Sequence, residues 1–389
     1  MKRIAPLSVI GCLGLLFAAS TCFAQAYKIT DLGPLSPAGI NTWGQVVGDY
    51  NNQAYLWTKR YGMRPLGTLG GGTFSSAAAI NDLGMIVGTA DGPGKIIFFD
   101  SSVTQDCDDL TQPFVWTSTK GMQGLTVLSP VGPDWDGALC LSLATHATDI
   151  NDLGQVVGYN SPFDTFQFGL LWAPKNGITR LGGSYPPTMA ISISNTSQIV
   201  GQSESLSLYI GKAAFWKNGV ETDLADLGTG AGADSLYYGS AANGVNDLGQ
   251  VVGWSTIGPV WALGVGLESP VHALLWTASG ALRDLGTLPG DTSSAASKIN
   301  LFGQVIGSSG NTNYSSDVDH SSPFKVVGRA FVWSELTGML DLNTLIPGNS
   351  GWMLNSATDI NIWGQIVGDG TLNGQPHGFL LTPRTLLGF

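Results

Sequence analysis

One phrase, Ile-Asn-x-x-Gly-Gln-Val-Val-Gly, returns seven times along this 389-residue chain with small substitutions, beginning at Ile40, Ile80, Ile150, Ile193, Val245, Ile299 and Ile360. Repetition at about 53 residues implies a solenoid, propeller or array, where each unit buries its apolar face only against its neighbours. Two further signatures share the count. An apolar stretch ends at Trp57, Trp116, Trp172, Trp216, Trp276, Trp333 and, in the seventh copy, Leu381. A Leu-Gly-type segment follows around Leu66, Leu125, Leu181, Leu227, Leu285 and Leu342, and a seventh stands alone near the start, around Leu32.

Each unit reads as four short antiparallel strands: A ending in Ile-Asn, B as Gly-Gln-Val-Val-Gly, C as the Trp strand and D as the Leu-Gly strand. Composition agrees, since 12% charged residues with 54 glycines and 43% apolar residues favour strands and turns over long charged helices. Four strands per unit is propeller arithmetic. The phase is decisive: the chain opens with an unpaired D strand, Tyr27 to Leu35, and ends on a C strand lacking its own D. The two ends complete one unit, whereas an open solenoid needs polar caps. The expected fold is all-β: a seven-bladed β-propeller of four-stranded antiparallel blades, the last blade closed by the N-terminal strand.

Turn chemistry supports this. Between A and B, Asn stands at Asn41, Asn81, Asn151, Asn246, Asn300 and Asn361, with Gly three residues later. The Asn side chain caps the turn and Gly supplies the positive φ. The fourth copy has Ser194 and Ser197 at these places, which predicts a distorted turn that draws on Asn195. Alanines three residues before the Ile or Val place strand A innermost, where side chains must be small. The Trp-strand tryptophans are then core between blades, and Trp43 and Trp363, in the A–B turns, serve local packing.

These residues and motifs resemble the HAF-repeat family of bacterial extracellular repeat proteins, named for a His-Ala-Phe stretch before the Trp strand. Here it reads His272-Ala273-Leu274, Arg329-Ala330-Phe331 and His377-Gly378-Phe379. The resemblance covers essentially all of residues 27–389 and implies export and a repeat β-fold. It carries no activity, substrate or catalytic residue, so His272 and His377 read as solvated strand-edge histidines.

Lys2 and Arg3 precede an apolar stretch from Ile4 to Ala19 and a small-residue site at Ala24-Gln25-Ala26, which reads as a secretory signal peptide over residues 1–26. Residues 27–389 are then a single propeller domain, secreted or periplasmic, expected as a monomer. With 17 basic against 28 acidic residues and no basic cluster, nucleic acid is a poor partner. No later segment is long and apolar enough for a membrane helix.

Loop lengths place the function. The A–B spacing is five in all copies, while the span from the last Gly of strand B to the C-strand Trp position runs from 9 to 28 residues. Insertions therefore gather on the B–C and D–A rim, the expected face for a glycan, peptide or protein partner. Cys107 and Cys140 both fall there and suit a disulfide in an oxidising compartment. Rim aromatics Trp135, Tyr237, Tyr238, Trp254, Trp261, Tyr314 and Trp352 are candidate ligand contacts. Asp134, Asp136, Asp317, Asp319 and His320 are candidate metal ligands, since clustered carboxylates suit Ca2+, although their spacing matches no EF-hand. The same Asp pairs are the local candidates for a polysaccharide hydrolase or lyase. No nucleophile elbow, HExxH or Walker loop is present, so no catalytic residue is assigned. A structural surface protein without a ligand is the third reading.

Overall fold

The structure, a computed structural model, describes residues 26–98, 104–108, 110–129, 143–162, 167–182, 188–205, 210–228, 239–258, 261–262, 265–266, 268–315 and 324–384. The fold is an all-β propeller. Each repeat builds one antiparallel sheet in the order A-B-C-D. The first comprises Ser36–Ile40, Val46–Tyr50, Gln53–Thr58 and Gly62–Pro65. Sheets 2 to 6 repeat this order, sheet 5 gaining a short extra strand, Asn313–Ser315, along Glu268–Trp276. In sheet 7, Trp352–Ile360, Ile366–Leu372 and Gln375–Pro383 are completed by Tyr27–Asp31, whose Tyr27 lies opposite Pro383 and Asp31 opposite Phe379. Each A strand packs beside that of the next repeat, and the seventh returns to the first.

The sheet count corrects the repeat arithmetic. Eight sheets of three or more strands, not seven, stand among the described residues. The additional one is mixed: Val127–Ser129 pairs parallel with Gly94–Phe98, which pairs antiparallel with Thr104–Cys107. It joins the B–C insertion of repeat 2 to that repeat's D–A connection and has its own small core of Ile96, Cys107, Leu110 and Val127. No tandem signature marks it, because its strands come from the B–C insertion and the D–A connection of one repeat only.

The repeat phrase is explained position by position. The Asn side-chain oxygen accepts from the two turn amides, as Asn41 Oδ1 does from Trp43 N at 3.1 Å and Gln45 N at 3.0 Å. Its Nδ2 donates to the Gln side chain that opens strand B, 2.7 Å from Asn41 to Gln45. The two valines point to opposite faces, Val46 into the interface with sheet 7 and Val47 into that with sheet 2. The closing glycine is imposed by a feature absent from the sequence reading. Every A strand carries a β-bulge just after the residue opposite that glycine, as between Ala147 and Asp149 opposite Gly158. A Cβ at Gly48, Gly88, Gly158, Gly201, Gly253, Gly307 or Gly368 would overlap the carbonyl of the residue preceding its A-strand partner.

Five of the six Trp-strand tryptophans are buried core and Trp116 is half-buried. In repeat 4 the residue at the end of strand D is Leu224 rather than Leu227: its amide bonds the carbonyl of Ala213, as Leu285 bonds Ala273 in repeat 5. His272 and His377 are hydrogen-bonded rather than free strand-edge side chains, with Nδ1 2.8 Å from Asp284 and from Asp31 on the adjoining D strands. Lys212 and Arg329 occupy the same place in their sheets and reach Asp226 at 2.6 Å and Asp341 at 2.9 Å.

Candidate functional site

Three places on the described surface combine polar side chains with a concave shape: the axial bore, its mouth at the A–B turns, and a cleft on the insertion rim. The bore is built by the innermost strands. At its centre Lys298, on strand A of sheet 6, crosses the axis to Asp149 of sheet 3, Nζ to Oδ2 2.9 Å, and to the Ser192 hydroxyl of sheet 4 at 3.0 Å. Asp359 of sheet 7 shares this field. Its oxygens accept from the amides of Ile40 and Ile360, both at 2.8 Å. Burial pushes the Asp359 carboxyl up to about 6, with Lys298 opposing the rise. The Lys298 ammonium is held above its ordinary range by Asp149 and Asp359, although burial alone would lower it. The Lys298 side chain keeps 26% exposure, to water along the bore, while protein surrounds it on all sides. Every strong donor and acceptor in this cluster has a partner, so it is a structural crossbrace with no group free to act on a ligand.

The mouth is a ring of relayed amides. Nδ2 of Asn41 donates to the carbonyl of Asn81, Asn81 to Asn151, Asn151 to Ser194, Asn246 to Asn300, Asn300 to Asn361, and Asn361 back to Asn41. The ring skips one junction, where Ser194 replaces asparagine. The fourth turn is nonetheless undistorted: Ser197 takes φ 59° in place of glycine, and the Ser194 hydroxyl accepts from Gln198 N at 3.2 Å. Asn195 does not serve its own turn but reaches Asp152 and Asp247 on either side. Gln198 Oε1 is buried without a partner, since the amide that caps it elsewhere is missing. Ser194→Asn combined with Ser197→Gly should therefore stabilise the protein by about 1 kcal/mol, restoring a donor to Gln198 and Asn246 and relaxing a left-handed serine. A lower denaturation midpoint for the double variant would refute the relay.

On the insertion rim, a cleft of about 460 Å³ lies between the eighth sheet and the outer strands of sheet 2, lined by Lys95, Asp106, Asp108, Gln112 and Thr126 with the backbone of Gly94 and Gly124. Gln112 forms its floor. It is 2% exposed, and its Nε2 donates to the carbonyls of Gly92 at 3.2 Å and Pro93 at 2.9 Å. A Cβ at Gly94 or Gly124 would strike the Gln112 amide, so both glycines are required for its placement. Lys95 and Asp106 lie 3.6 Å apart but are 55% and 84% exposed, so their charges remain available to a ligand. Cys107 is disulfide-bonded and buried in the small core beneath.

The rim candidates are distributed unevenly. Trp135, Tyr237, Tyr238, Asp134, Asp136, Asp317, Asp319, His320 and Cys140 lie outside the described residues. Trp254 is corrected: it is 1% exposed and packs on Phe324 at 5.1 Å, a core residue beneath the rim rather than a ligand platform. Trp352 is half-buried, edge-on to His377 and Phe379. Trp261 sits in a two-stranded ribbon with Val265–Gly266, and Tyr314 in the strand that pairs with Glu268–Pro270. Among the described residues no group of three His, Cys, Asp or Glu is arranged to hold a metal ion. No described helix is long and apolar enough to cross a membrane. His146 is half-buried, and desolvation lowers its pKa; its ring lies tilted against Tyr159 at 5.1 Å with Nδ1 3.3 Å from Thr89, a packing role. Sequence reasoning missed the Gln112 floor and Lys95, whose only signal was the length of the insertion.

No protein-family model matches the chain, and no curated protein does. Among solved structures it is similar to virginiamycin B lyase from Staphylococcus aureus, at 9% identity over 92% of this chain and 99% of that chain, with a TM-score of 0.49. A catalytically inactive form of that enzyme with quinupristin gives 10% identity, the same coverage and a TM-score of 0.49. A streptogramin B lyase structure gives 9% identity and a TM-score of 0.49. Likeness at this level assigns neither activity nor substrate.

Proposed function

We propose that the protein is an exported binding propeller of the HAF-repeat kind, in which the eighth sheet, inserted at repeat 2, builds the rim where a partner is met. The observation that carries this reading is the rim cleft of about 460 Å³, which offers an ammonium, two carboxylates and free backbone edges around a buried amide. Donors and acceptors that alternate over a shallow surface suit the hydroxyls of a glycan or the backbone of a peptide. The insertion that forms the cleft has its own core and a disulfide, so the contact groups sit on a fixed frame rather than on a free loop. We assign Cys140 as the partner of Cys107.

The test is binding of the full exported chain to glycan and peptide arrays, followed by incubation of any bound polysaccharide with the protein and analysis for released fragments. Binding without product, lost in a Lys95→Ala/Asp108→Ala variant, is the expected result. Fragment release would convert the reading to a hydrolase or lyase, and binding indifferent to that variant would remove the cleft from it.

A further inference from the structure

Six of the seven A–B turns carry a large apolar side chain at one position, two residues after the turn asparagine or its serine substitute: Trp43, Leu83, Leu153, Leu248, Phe302 and Trp363. Their exposures run from 54% for Trp363 to 73% for Trp43. Because the turns encircle the axis and their neighbouring residues line the polar mouth, these side chains are arrayed as an apolar ring on that face, interrupted at Thr196 in sheet 4. Both indoles are tethered to the turn of the next repeat: Trp43 Nε1 donates to the carbonyl of Asp82 at 2.9 Å and Trp363 Nε1 to that of Thr42 at 3.0 Å. Local packing accounts for those N–H groups but leaves more than half of each side chain in water. Large apolar side chains exposed together on one face mark an interaction surface, and rings already held in place lose little freedom when covered.

At the ring's centre stand Asp82, Asp152 and Asp247. Their Oδ1 atoms accept from the amides of Thr42, Asp82 and Asn195, at 2.7 to 2.9 Å. Among the described residues none of the three is in an ion pair. The mouth they line measures about 200 Å³.

We propose that this face, opposite the insertion rim, is a second interface that binds a polypeptide segment presenting a lysine or arginine side chain between apolar residues. The cation enters the mouth and meets the three carboxylates, while the flanking apolar side chains cover the ring. Charge selects this occupant over two others. A second copy of the chain would bring two acidic mouths together on molecules of net charge −11, and anionic lipid would meet the same carboxylates. Tryptophan is among the side chains that dominate binding energy in protein interfaces.

The experiment is selection of phage-displayed random short peptides on the full exported chain, with affinities then measured against two variants. One is Asp82→Asn/Asp152→Asn/Asp247→Asn; the other is Trp43→Ser/Phe302→Ser, whose changes lie on exposed side chains and leave the core intact. Expected are peptides with Lys or Arg flanked by apolar residues, binding about tenfold more weakly to either variant and more weakly at high salt. Failure to enrich any such sequence, or equal binding to parent and folded variants, would overturn the proposal. So would a dimer seen by sedimentation, or flotation with phosphatidylcholine vesicles, that disappears in the Trp43→Ser/Phe302→Ser variant, because either assigns the ring to a different occupant.

Discussion

At pH 7, Lys298→Met should cost the protein about 3–5 kcal/mol of unfolding free energy, because it removes the cation from a site that still holds Asp149 and Asp359. Methionine fills the space but leaves two carboxylates facing each other in the bore. The pH dependence distinguishes this from lost packing. The Asp359 carboxyl is raised to about 6 in the folded protein, so the native state binds its proton more tightly than the unfolded chain does. Its contribution therefore favours folding below the ordinary carboxylate range and is lost as pH rises toward about 6. Without Lys298 the Asp359 value rises further, so the penalty should be full at pH 7 and shrink markedly by pH 5. Urea denaturation of both proteins at the two pH values measures it. A penalty under about 1 kcal/mol at both would mean that water in the bore already screens the charges.

Gly253→Ala should cost about 3 kcal/mol and broaden the unfolding transition. The added carbon would overlap the carbonyl of Ala241 and crowd the Cα of Ala242, both backbone atoms of the bulged strand, so no side-chain rotation relieves it. To accept alanine the sheet must flatten its bulge, which would disturb the adjoining A strands. Gly348→Ala is the control: nothing lies within 4 Å of its added carbon and its φ is not positive. It should change stability by less than about 0.5 kcal/mol. Equal effects at the two positions would show that the strand-B glycine is dispensable.

The strand plan, the turn positions and the pairing of Tyr27–Asp31 with the last strand were all legible in the sequence, because each is written several times over in residues with one conformational use. The bulge was not. The residues inserted there, among them Ala38, Ala78, Thr148, Asn243 and Thr358, share no chemistry, and its only trace is the glycine it forces on the neighbouring strand. The crossbrace was hidden for a related reason: Asp149, Lys298 and Asp359 stand at a repeat position that holds Gly39, Ala79, Ser192 and Gly244 in the other four copies, and only the closed ring brings them together. The eighth sheet lacked any periodic cue, since its strands pair across a D–A connection. The rim was identified by loop length alone, a measure that locates a surface but not the side chains that shape it. The apolar ring was written in the repeats, two places after each turn asparagine, but only Trp43 and Trp363 were singled out there, as local packing, because position in the repeat does not reveal exposure.

The strand that finishes sheet 7 is the first of the fold to be synthesised, and its partners, Phe379 to Pro383, are among the last. A contact of such sequence separation forms late and slowly. During synthesis the Tyr27–Asp31 segment must wait unpaired while six further units assemble behind it. Any concentration of half-made chains then offers each waiting strand a rival acceptor on another molecule, so swapped oligomers are the characteristic misassembly of this design.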